Sequence, residues 1–589
     1  MKVVGSKMIS ELENDSEKAE FEPIECVWIP LRKSLKIFLE IPGIFQEIIN
    51  YITKLSIVDN IISNLTQGSL WKSMKIVNTI GQVTLPLYVF YDELETGNAL
   101  GSHASTNKFG ATYAEIGALP PKIAARLDSI LFCSLINAKD KSEAENNEVF
   151  DDLIKELNFL ATHGIQINVQ GRNYNVKFRL VLIVGDNLGL NQILGFVDCF
   201  NSDYFCRICK VTAEECHKLV SEDVSKLRNL ENYETDVKEK NSLMTGIKEP
   251  CCFNGVNYYH VTKNVFLDVL HDYLEGVCTY TLHALIKTFT KDKKYNISLH
   301  VLNLLIQDFD YGDSPKPPKI AFARLQQHNT LKMSAAEILS LVRYLPIILG
   351  PVVPRYDEHW KLLLLLRRIG DILTNHRIIK ADIGRLSELI TEFNTLYIRF
   401  YGDLKPKFHH LVHYPRLLEL NGPCFKYSTM RFESRHRRAK QSAGSSSCTK
   451  NLLYTIAIKE TLKTCQTIHN AMFPSPAIHV PNIISEDKAE KYYESVEIEG
   501  TMFKIGKFVV ADIQNEVSFG EILQIIRVQD VYYFSMNIYE ECSFDSHLHA
   551  YIVVYSKSIK MSSKDLPYIS SVLSVKHEEL HYIVAPYGL

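Results

Sequence analysis

Two short motifs, far apart in a chain of 589 residues, constrain its fold more than any other feature. Cys206 and Cys209 form a CxxC knuckle, which holds two thiolates at a reach suited to tetrahedral Zn²⁺. His409 and His413 are four residues apart, so on a helix their side chains share one face. Together the motifs predict a Cys₂His₂ zinc site. The alternatives are buried free thiols and ordinary histidines, and His410 is an alternative ligand to His409.

The composition excludes several classes of protein. Hydrophobic residues make up 46% of the chain and charged residues 23%, which is ordinary for a globular protein and far from the composition of disorder. The formal net charge of −3 excludes a uniformly basic nucleic-acid coat, but a local basic groove is compatible with it. The longest apolar runs are too short or too interrupted to span a bilayer, so we expect no membrane association.

Cysteine use indicates a reducing compartment. The 13 cysteines are too sparse for a small disulfide scaffold, and their number is odd. The first residues are polar and acidic, which is not typical of a signal peptide. We therefore expect the cytosol or the nucleus, where a close cysteine pair is a metal site first and a disulfide second.

Two aspartates share one setting in the sequence. Asp92 follows the apolar run 85–91, and Asp186 follows the predicted strand 177–184 after the single residue Gly185. Because the carboxyl ends of neighbouring strands in an α/β sheet converge on one crevice, we expect the two carboxylates to meet there. Two such carboxylates repel each other unless a cation lies between them, so a divalent metal is the natural partner. The alternative is that both aspartates only form turns after strands.

A third pattern surrounds one acid with basic residues. Glu433 lies in a stretch predicted to be helical, where Glu433 and Arg437 have the i,i+4 spacing of an ordinary ion pair on a solvated face. The functional alternative is a carboxylate embedded in a surface that binds phosphate groups. The basic positions of this stretch are Arg431, Arg435, Arg437, Arg438 and Lys440.

Changes in hydrophobic period and in turn residues divide the chain into parts of an α+β multidomain protein. The expected parts are a disordered acidic lead over 1–26, a helical segment over 27–80, an α/β part over 81–210, a mostly helical part over 211–404, a further part with the acid Glu433 over 405–475, a linker over 476–496, and a small barrel-like β domain over 497–589.

Four motifs in this order resemble the CACTA (En/Spm-like) DNA transposases, in particular the animal relatives of the plant-type transposase domain. They are Asp92-Glu-Leu-Glu-Thr-Gly-Asn-Ala-Leu-Gly-Ser-His103, Gly185-Asp-Asn-Leu-Gly-Leu190, Gly195-Phe196 with Tyr204-Phe-Cys-Arg-Ile-Cys209, and Lys407-Phe-His-His-Leu-Val-His-Tyr-Pro415 with Arg431-Phe-Glu433. The resemblance covers residues 27–470. It implies a ribonuclease-H-like α/β catalytic core that is interrupted by a large helical insertion, with the small β domain outside it.

The resemblance also implies roles for residues of this chain. The implied catalytic acids are Asp92, Asp186 and Glu433, and the implied zinc ligands are Cys206, Cys209, His409 and His413. Zinc ligands at both ends of the insertion would hold it to the core and contribute folding free energy. Glu275, on an acidic helix with His271 and Asp272, is the alternative third acid.

The implied chemistry is DNA strand cleavage and transfer by phosphoryl transfer with two Mg²⁺ or Mn²⁺ ions. Asp92 would bridge both ions, and Asp186 and Glu433 would each complete one, while the basic residues of 431–440 would hold the DNA backbone. The implied partners are transposon ends and target DNA, in the nucleus, with a homodimer or larger assembly. We recognise no DNA-binding module before the core, so we expect either a truncated copy or a chain that binds DNA ends through its core.

Two other functions are compatible with the sequence. One is a transposon-derived module that binds DNA or protein and no longer catalyses a reaction. The other is a zinc-stabilised scaffold that acts through its C-terminal β domain. Intact acids favour retained chemistry over the first of these.

Overall fold

The chain folds as an α+β structure with a mixed sheet, a large helical region and a curled C-terminal sheet. A computed structural model describes residues 2–11, 18–57, 60–96, 108–445, 451–469, 477–479, 483–486, 490–498, 501–513, 517–529, 531–567, 571–577 and 580–585. Residues 97–103 of the first transposase-like motif lie outside the described residues, whereas its Asp92 end lies within them.

A mixed sheet organises the N-terminal part of the chain. Its elements are β1 (Lys2–Glu11), β2 (Lys18–Trp28), α1 (Leu31–Glu40), α2 (Ile44–Ser56), β3 (Ile61–Ile62), α3 (Ser69–Ser73), β4 (Gln82–Glu95), β5 (Lys108–Ile116), α4 (Pro121–Ala124), β6 (Leu131–Asn137), α5 (Ala138–Glu143), α6 (Asn146–Thr162), β7 (Ile165–Val169), β8 (Arg172–Val184) and α7 (Asn187–Ile193). Among the described residues the sheet has seven strands in the order β1-β2-β6-β5-β4-β8-β7.

The two strands that precede Asp92 and Asp186 are neighbours in this sheet. β4 and β8 run parallel, with Phe90 level with Val184, whereas β4–β5, β5–β6 and β7–β8 are antiparallel pairs. The ends of β4 and β8 nearest the aspartates are continuous buried runs, as expected for strands covered on both faces. The carboxyl ends of the two strands therefore open at the same edge of the sheet.

The N-terminal lead differs from the prediction of disorder over 1–26. In the described residues it forms β1 and β2, which pair antiparallel with each other, and β2 also pairs with β6. Ile24 and Cys26 are at most 5% exposed and pack with Ile136 of β6. The many acidic residues of the lead concealed this alternation of apolar side chains, which is the pattern of a strand with one buried face.

Helices dominate the middle of the chain. The elements are α8 (Ala213–Cys216), α9 (Leu230–Glu239), α10 (Ser242–Thr245), a π-helical segment (Leu270–Cys278) that continues into α11 (Thr279–Lys291), α12 (Leu299–Asp308), α13 (Phe322–Gln327), α14 (Ala335–Leu349), α15 (Glu358–Leu373), β9 (Ile378–Ile379), α16 (Lys380–Tyr401), α17 (Pro406–Leu411), α18 (Tyr414–Asn421), α19 (Thr429–Gly444) and α20 (Leu452–His469). β9 pairs with β3, which ties the helical region back to the N-terminal part.

One helical stretch passes a length and composition test for a membrane span. Within the described residues, Ala335–Val352 has a mean hydropathy of 1.5 over 18 residues, and 61% of it is buried inside the protein. It contains α14, whose buried side chains include Leu341 and Leu345. This degree of burial is the pattern of a helix in a protein core.

The C-terminal part is a curled antiparallel sheet. The strands of this part are β10 (Ala477–His479), β11 (Ile483–Glu486), β12 (Glu490–Tyr493), β13 (Ser495–Ile498), β14 (Thr501–Lys504), β15 (Phe508–Asp512), β16 (Ser518–Val528), β17 (Val531–Asp545), β18 (Ala550–Ser562), β19 (Ser571–His577) and β20 (Leu580–Val584). Of these, β10, β13 and β14 form a separate small sheet, and the others belong to the curled sheet. Pairing runs from β16 through β15, β19, β20, β18 and β17 and returns to β16, so the described strands curl into a barrel-like ring. The segment 476–496, predicted to be a linker, instead contributes strands in its described residues, and Tyr493 and Val496 are buried in one core cluster of the C-terminal part.

A loop of the curled sheet docks on the helical region. The carbonyl oxygen of His547 accepts the Trp360 Nε1–H at 3.0 Å, and His547 Nε2 lies 3.0 Å from the carbonyl oxygen of Gly350. His549 Nε2 lies 3.0 Å from Asp371 Oδ2. All these contacts are buried, so the β domain is joined to the helical region through specific polar contacts.

Candidate functional site

Four metal-ligand side chains form one buried cluster. The ligand atoms of Cys206, Cys209, His409 and His413 all lie within 4.8 Å of one another, and each residue is at most 1% exposed. Cys209 Sγ lies 3.2 Å from His409 Nε2, and Cys206 Sγ lies 3.7 Å from His413 Nε2. Two thiols and two imidazoles are a common donor set for structural zinc. The cluster can therefore hold a metal such as zinc.

Local structure explains how the two motifs present their ligands. The two cysteines lie in the non-helical segment between α7 and α8. α17 begins with Pro406 at its first position, where a missing N–H has no cost, and it carries His409. His413 follows one turn later, immediately before α18. The two motifs thus meet from opposite ends of the helical region.

A carboxylate orients one of the imidazoles. His413 Nδ1 lies 2.7 Å from Glu222 Oε1, and the Arg416 guanidinium donates to both oxygens of Glu222 at 2.7 to 3.0 Å. Metal-binding histidines commonly bond their second ring nitrogen to a carboxylate in this way, which turns Nε2 toward the metal. Glu222 lies in no recognisable motif, so the sequence alone did not identify it.

His409 and His410 contact different groups. His409 Nε2 faces the thiol of Cys209, whereas His410 Nδ1 lies 2.9 Å from Asp272 Oδ1. Both histidines are at most 1% exposed, so their burial does not distinguish them. The geometry therefore selects His409 as the ligand and gives His410 a different contact.

The thiol pKa values of the two cysteines shift in opposite directions. Burial raises the pKa of a thiol, but the Cys209 thiol and the imidazoles of His409 and His413 hold the pKa of Cys206 well below its ordinary value. The hydrogen bond to Cys206, followed by burial, raises the pKa of Cys209. A cation bound between them would favour loss of the second proton, since thiolates are the metal-binding form.

Asp92 and Asp186 open onto the same crevice. Both lie two residues beyond the paired level of Phe90 and Val184. A Cβ atom on Gly185 would lie only 2.6 Å from the carbonyl oxygen of Tyr91, so this close approach of the two strand ends requires glycine.

Asp186 is held by the start of α7. It is the N-cap residue, and its Oδ1 accepts the Gly189 N–H at 2.6 Å. Burial raises the pKa of Asp186, the Gly189 N–H opposes that rise, and the charge of Asp92 adds to it. The last effect is that of a like charge on the neighbouring strand.

Glu433 faces the crevice from α19. The helix packs on the sheet by stacking Phe432 on Phe90, with ring centroids 4.7 Å apart. Burial raises the pKa of Glu433, and the charge of Asp92 adds to the rise although His271 opposes it. In the part of the chain that the structure describes, the three acids are not grouped as tightly as the cysteine–histidine cluster, whose ligand atoms all lie within 4.8 Å.

Sequence reasoning missed a histidine beside the first acid. His436 Nε2 lies 3.2 Å from Asp92 Oδ2, and its Nδ1 lies 3.2 Å from the Tyr113 hydroxyl. His436 is three residues after Glu433 on α19, so helical spacing is the signal that could have identified it.

A second histidine lies beside the third acid. His271 Nε2 is 3.5 Å from Glu433 Oε1, and its Nδ1 is 2.7 Å from Asp268 Oδ2. Burial lowers the pKa of His271, but the hydrogen bond and charge of Asp268, with Glu433 and Glu275, raise it to about 9. Glu275 itself is exposed on the π-helical segment, so the half-buried Glu433 is the better placed of the two candidate third acids.

The basic stretch of α19 is largely engaged inside the protein. Arg435 is 1% exposed and pairs with the buried Glu460, which corrects its expected role as a contact to DNA. Arg431 pairs with Glu115, and Arg438 pairs with Asp128. The helix buries every third or fourth side chain, and Arg435 falls on that face. The exposed basic residues of the stretch are Arg437 and Lys440.

Comparison with known proteins gives no family assignment. No protein-family model matches the sequence, and no curated protein matches it.

Proposed function

We propose that this protein is a metal-dependent DNA nuclease and strand transferase of the DDE transposase type. The observation that carries the proposal is the grouping of Asp92, within β4, with Asp186, just beyond the parallel neighbour β8, and with Glu433, which faces them from α19. The charge of Asp92 contributes to the raised pKa of both other acids, so negative charge is concentrated there. Oxygen ligands of this kind suit Mg²⁺ and Mn²⁺.

The topology supports a ribonuclease-H-like core. From β4 onward, three strands are antiparallel neighbours, and β8 then pairs in parallel on the other side of β4. The first acid lies within the first of these strands, β4, which continues past Asp92 to Glu95, and the second acid follows β8. The resemblance implies an acid after each strand, so the position of Asp92 inside β4 departs from it. The short strand β7 precedes β8 and is an addition to that pattern.

The side chains around the acids would preorganise them. Two divalent ions, when bound, would activate water or a DNA 3′-hydroxyl and stabilise the leaving oxygen. His436 orients the carboxylate of Asp92, and the start of α7 orients that of Asp186. The Thr429 hydroxyl donates to Glu433 Oε1 at 3.2 Å. Fixed acids of this kind reduce the reorganisation that the reaction requires.

DNA is the proposed partner, as transposon ends and target. Arg437 and Lys440 are exposed on the same helix as Glu433, and they support contact with the phosphate backbone. A homodimer would hold two DNA ends together, and the nucleus is the compartment proposed for the reaction.

A plasmid-nicking assay tests the proposal without knowledge of the DNA sequence that is recognised. The full-length protein is incubated with supercoiled plasmid and Mn²⁺, and open-circular product is measured. We expect nicking by the parent and its loss in Asp92→Asn, Asp186→Asn and Glu433→Gln. The matched control is Glu275→Gln, which removes an exposed acid beside the same crevice and should nick normally. Nicking that survives in Asp186→Asn would overturn the proposal.

A catalytically silent binding module is the second candidate function. Asp92 and Glu433 each contact a histidine, His436 and His271 respectively, and such contacts compete with metal coordination. Retention of plasmid on the protein in a gel-shift assay, with no nicking in Mn²⁺ or Mg²⁺, would favour this candidate.

A further inference from the structure

Asp272 lies at the centre of a buried hydrogen-bond network. It is 0% exposed, and its Oδ1 accepts the Asn187 Nδ2–H at 2.7 Å and lies 2.9 Å from His410 Nδ1. Its Oδ2 accepts the Tyr414 hydroxyl at 3.2 Å. Both oxygens of this carboxylate therefore have a partner, and the partners come from two distant segments of the chain, α7 and the consecutive helices α17 and α18.

The network reaches Asp186 through the residue that follows it. Asn187 is the first residue of α7, and its Oδ1 accepts the Arg207 Nη1–H at 2.9 Å. The Arg207 guanidinium also donates to the carbonyl oxygen of Phe266 at 2.7 Å. Asn187 is thus held at both atoms of its amide, by Asp272 on one side and Arg207 on the other.

The same network interleaves with the cysteine–histidine cluster. Arg207 lies between the two cysteine ligands, and His410 lies beside His409 in the histidine motif. Each motif therefore carries two ligands of the cluster and, directly after the first ligand, one residue of the network. A metal that fixed the four ligands would also fix the backbone that carries Arg207 and His410.

We propose that Asp272, Arg207, His410 and Asn187 form a positioning network through which the metal-loaded cysteine–histidine cluster holds Asp186 in the crevice. The inference rests on the proposed function, since it assigns Asp186 a part in binding divalent ions. The network gives the zinc site a role beyond stabilising the fold. It predicts that the state of the cysteine–histidine cluster affects the binding of divalent ions by Asp186, although the two metal sites share no ligand.

A purely structural role is the alternative, since satisfied buried polar networks also rigidify a fold. A matched control separates the two roles. Asp371 is also a buried, paired carboxylate, with Arg367 and His549 as partners, but it lies where the curled sheet docks on the helical region. Asp272→Asn and Asp371→Asn therefore each weaken one buried network, and only the first network leads to Asp186.

The experiment measures binding of Mn²⁺ to zinc-loaded full-length protein by the free Mn²⁺ signal in electron paramagnetic resonance. Zinc content and thermal midpoint are recorded for every variant. We expect Asp272→Asn to keep its zinc and to weaken Mn²⁺ binding about tenfold. Asp371→Asn should lower the thermal midpoint and leave Mn²⁺ affinity unchanged. Tyr414→Phe, which removes one hydrogen bond to Asp272, should weaken Mn²⁺ binding less than Asp272→Asn does. It replaces Asp272→Asn in the experiment if that variant does not fold.

Hydrogen exchange gives a second readout that needs no Mn²⁺. The amide of Gly189, which Asp186 caps, should lose protection in Asp272→Asn and keep it in Asp371→Asn. Equal protection and equal Mn²⁺ affinity in Asp272→Asn and the parent would overturn the network. Absence of Mn²⁺ binding by the parent, with the expected loss of Gly189 protection in Asp272→Asn, would instead overturn the proposed function and leave the positioning of Asp186 supported.

Discussion

At the residue scale, Asp186 combines two tasks in one carboxylate. It caps α7 by accepting the Gly189 N–H, and it faces Asp92 across the crevice. Asparagine caps a helix as well as aspartate does, but it carries no charge. Asp186→Asn therefore keeps the local structure and removes the repulsion.

We expect the difference in stability between Asp186→Asn and the parent to depend on pH. Folding raises the pKa of Asp186 above its ordinary 3.8, chiefly through burial, so the folded state binds more protons and loses stability as pH rises through that window. We expect Asp186→Asn to be at least as stable as the parent at neutral pH and to have no advantage below pH 3.8. Urea unfolding at the two pH values measures the difference. A loss above about 1 kcal/mol at neutral pH would contradict this electrostatic account.

Arg435 and Arg437 are two residues apart but differ completely in environment. Arg435 pairs with Glu460 in the core, and Arg437 is exposed. Because Arg435→Ala leaves a buried carboxylate without its partner, we expect it to lower the free energy of unfolding by about 3–5 kcal/mol. Arg437→Ala should change it by less than about 0.5 kcal/mol and weaken DNA binding. Denaturant unfolding and a DNA titration distinguish the two variants. A large loss of stability in Arg437→Ala with little loss in Arg435→Ala would contradict the structure.

At the scale of elements, the cysteine–histidine cluster joins the two ends of the helical region. We expect one zinc ion per chain in the purified protein, measured by mass spectrometry. Cys209→Ser should abolish that zinc and lower the free energy of unfolding by at least about 3 kcal/mol, because metal binding contributes directly to folding. Cys199→Ser, which alters an exposed cysteine outside the cluster, is the control. Full stability of Cys209→Ser would show that the cluster binds no structural metal.

Local patterns predicted the elements that carry the site. The apolar runs before Asp92 and Asp186 lie within β4 and β8, although β4 does not end at Asp92 as predicted but continues to Glu95. The spacing of His409 and His413 predicted that they share one side of a helical turn. These features depend on residues close together in the chain. The sequence therefore identified the cluster of four ligands, although it left His409 and His410 as alternatives.

Features that depend on distant partners were not predictable in this way. The contact of His410 with Asp272 and the pairing of Arg435 with Glu460 are set by tertiary packing, which no local spacing reveals. The same applies to β2, whose Ile24 finds a buried site only because β6 lies beside it. The acidic composition favoured a disordered lead, which instead pairs as strands, and the basic run favoured a DNA contact by Arg435, which is instead buried.

At the scale of the whole molecule, a buried polar contact joins the curled sheet to the helical region. Asp371 pairs with Arg367 and with His549, which is 2% exposed. Burial lowers the pKa of His549, although the hydrogen bond and charge of Asp371 oppose this. Burial alone would raise the pKa of Asp371, but the charge of Arg367 and the hydrogen bond from His549 hold it below its ordinary value. Both groups bind more protons when the contact opens, so acid should weaken the docking.

This contact predicts release of the curled sheet at acid pH. As pH falls below the ordinary histidine value of 6.5, the docking loses stability, and it loses more as pH falls through the ordinary aspartate value of 3.8. Hydrogen exchange across the 545–549 loop, measured at several pH values, should show protection falling first there. His549→Phe should flatten the upper part of this profile. Uniform loss of protection over the whole chain would contradict a separable docking contact.

Anomalous X-ray diffraction tests the central claim most directly. Crystals of the full-length protein with zinc, soaked in Mn²⁺, would be measured at the zinc and manganese absorption edges. The account predicts a zinc peak among Cys206, Cys209, His409 and His413, and manganese bound by Asp92 and Asp186 with Glu433 facing it. A zinc peak in place with no manganese at the aspartates, or manganese held by Glu275 in place of Glu433, would contradict it.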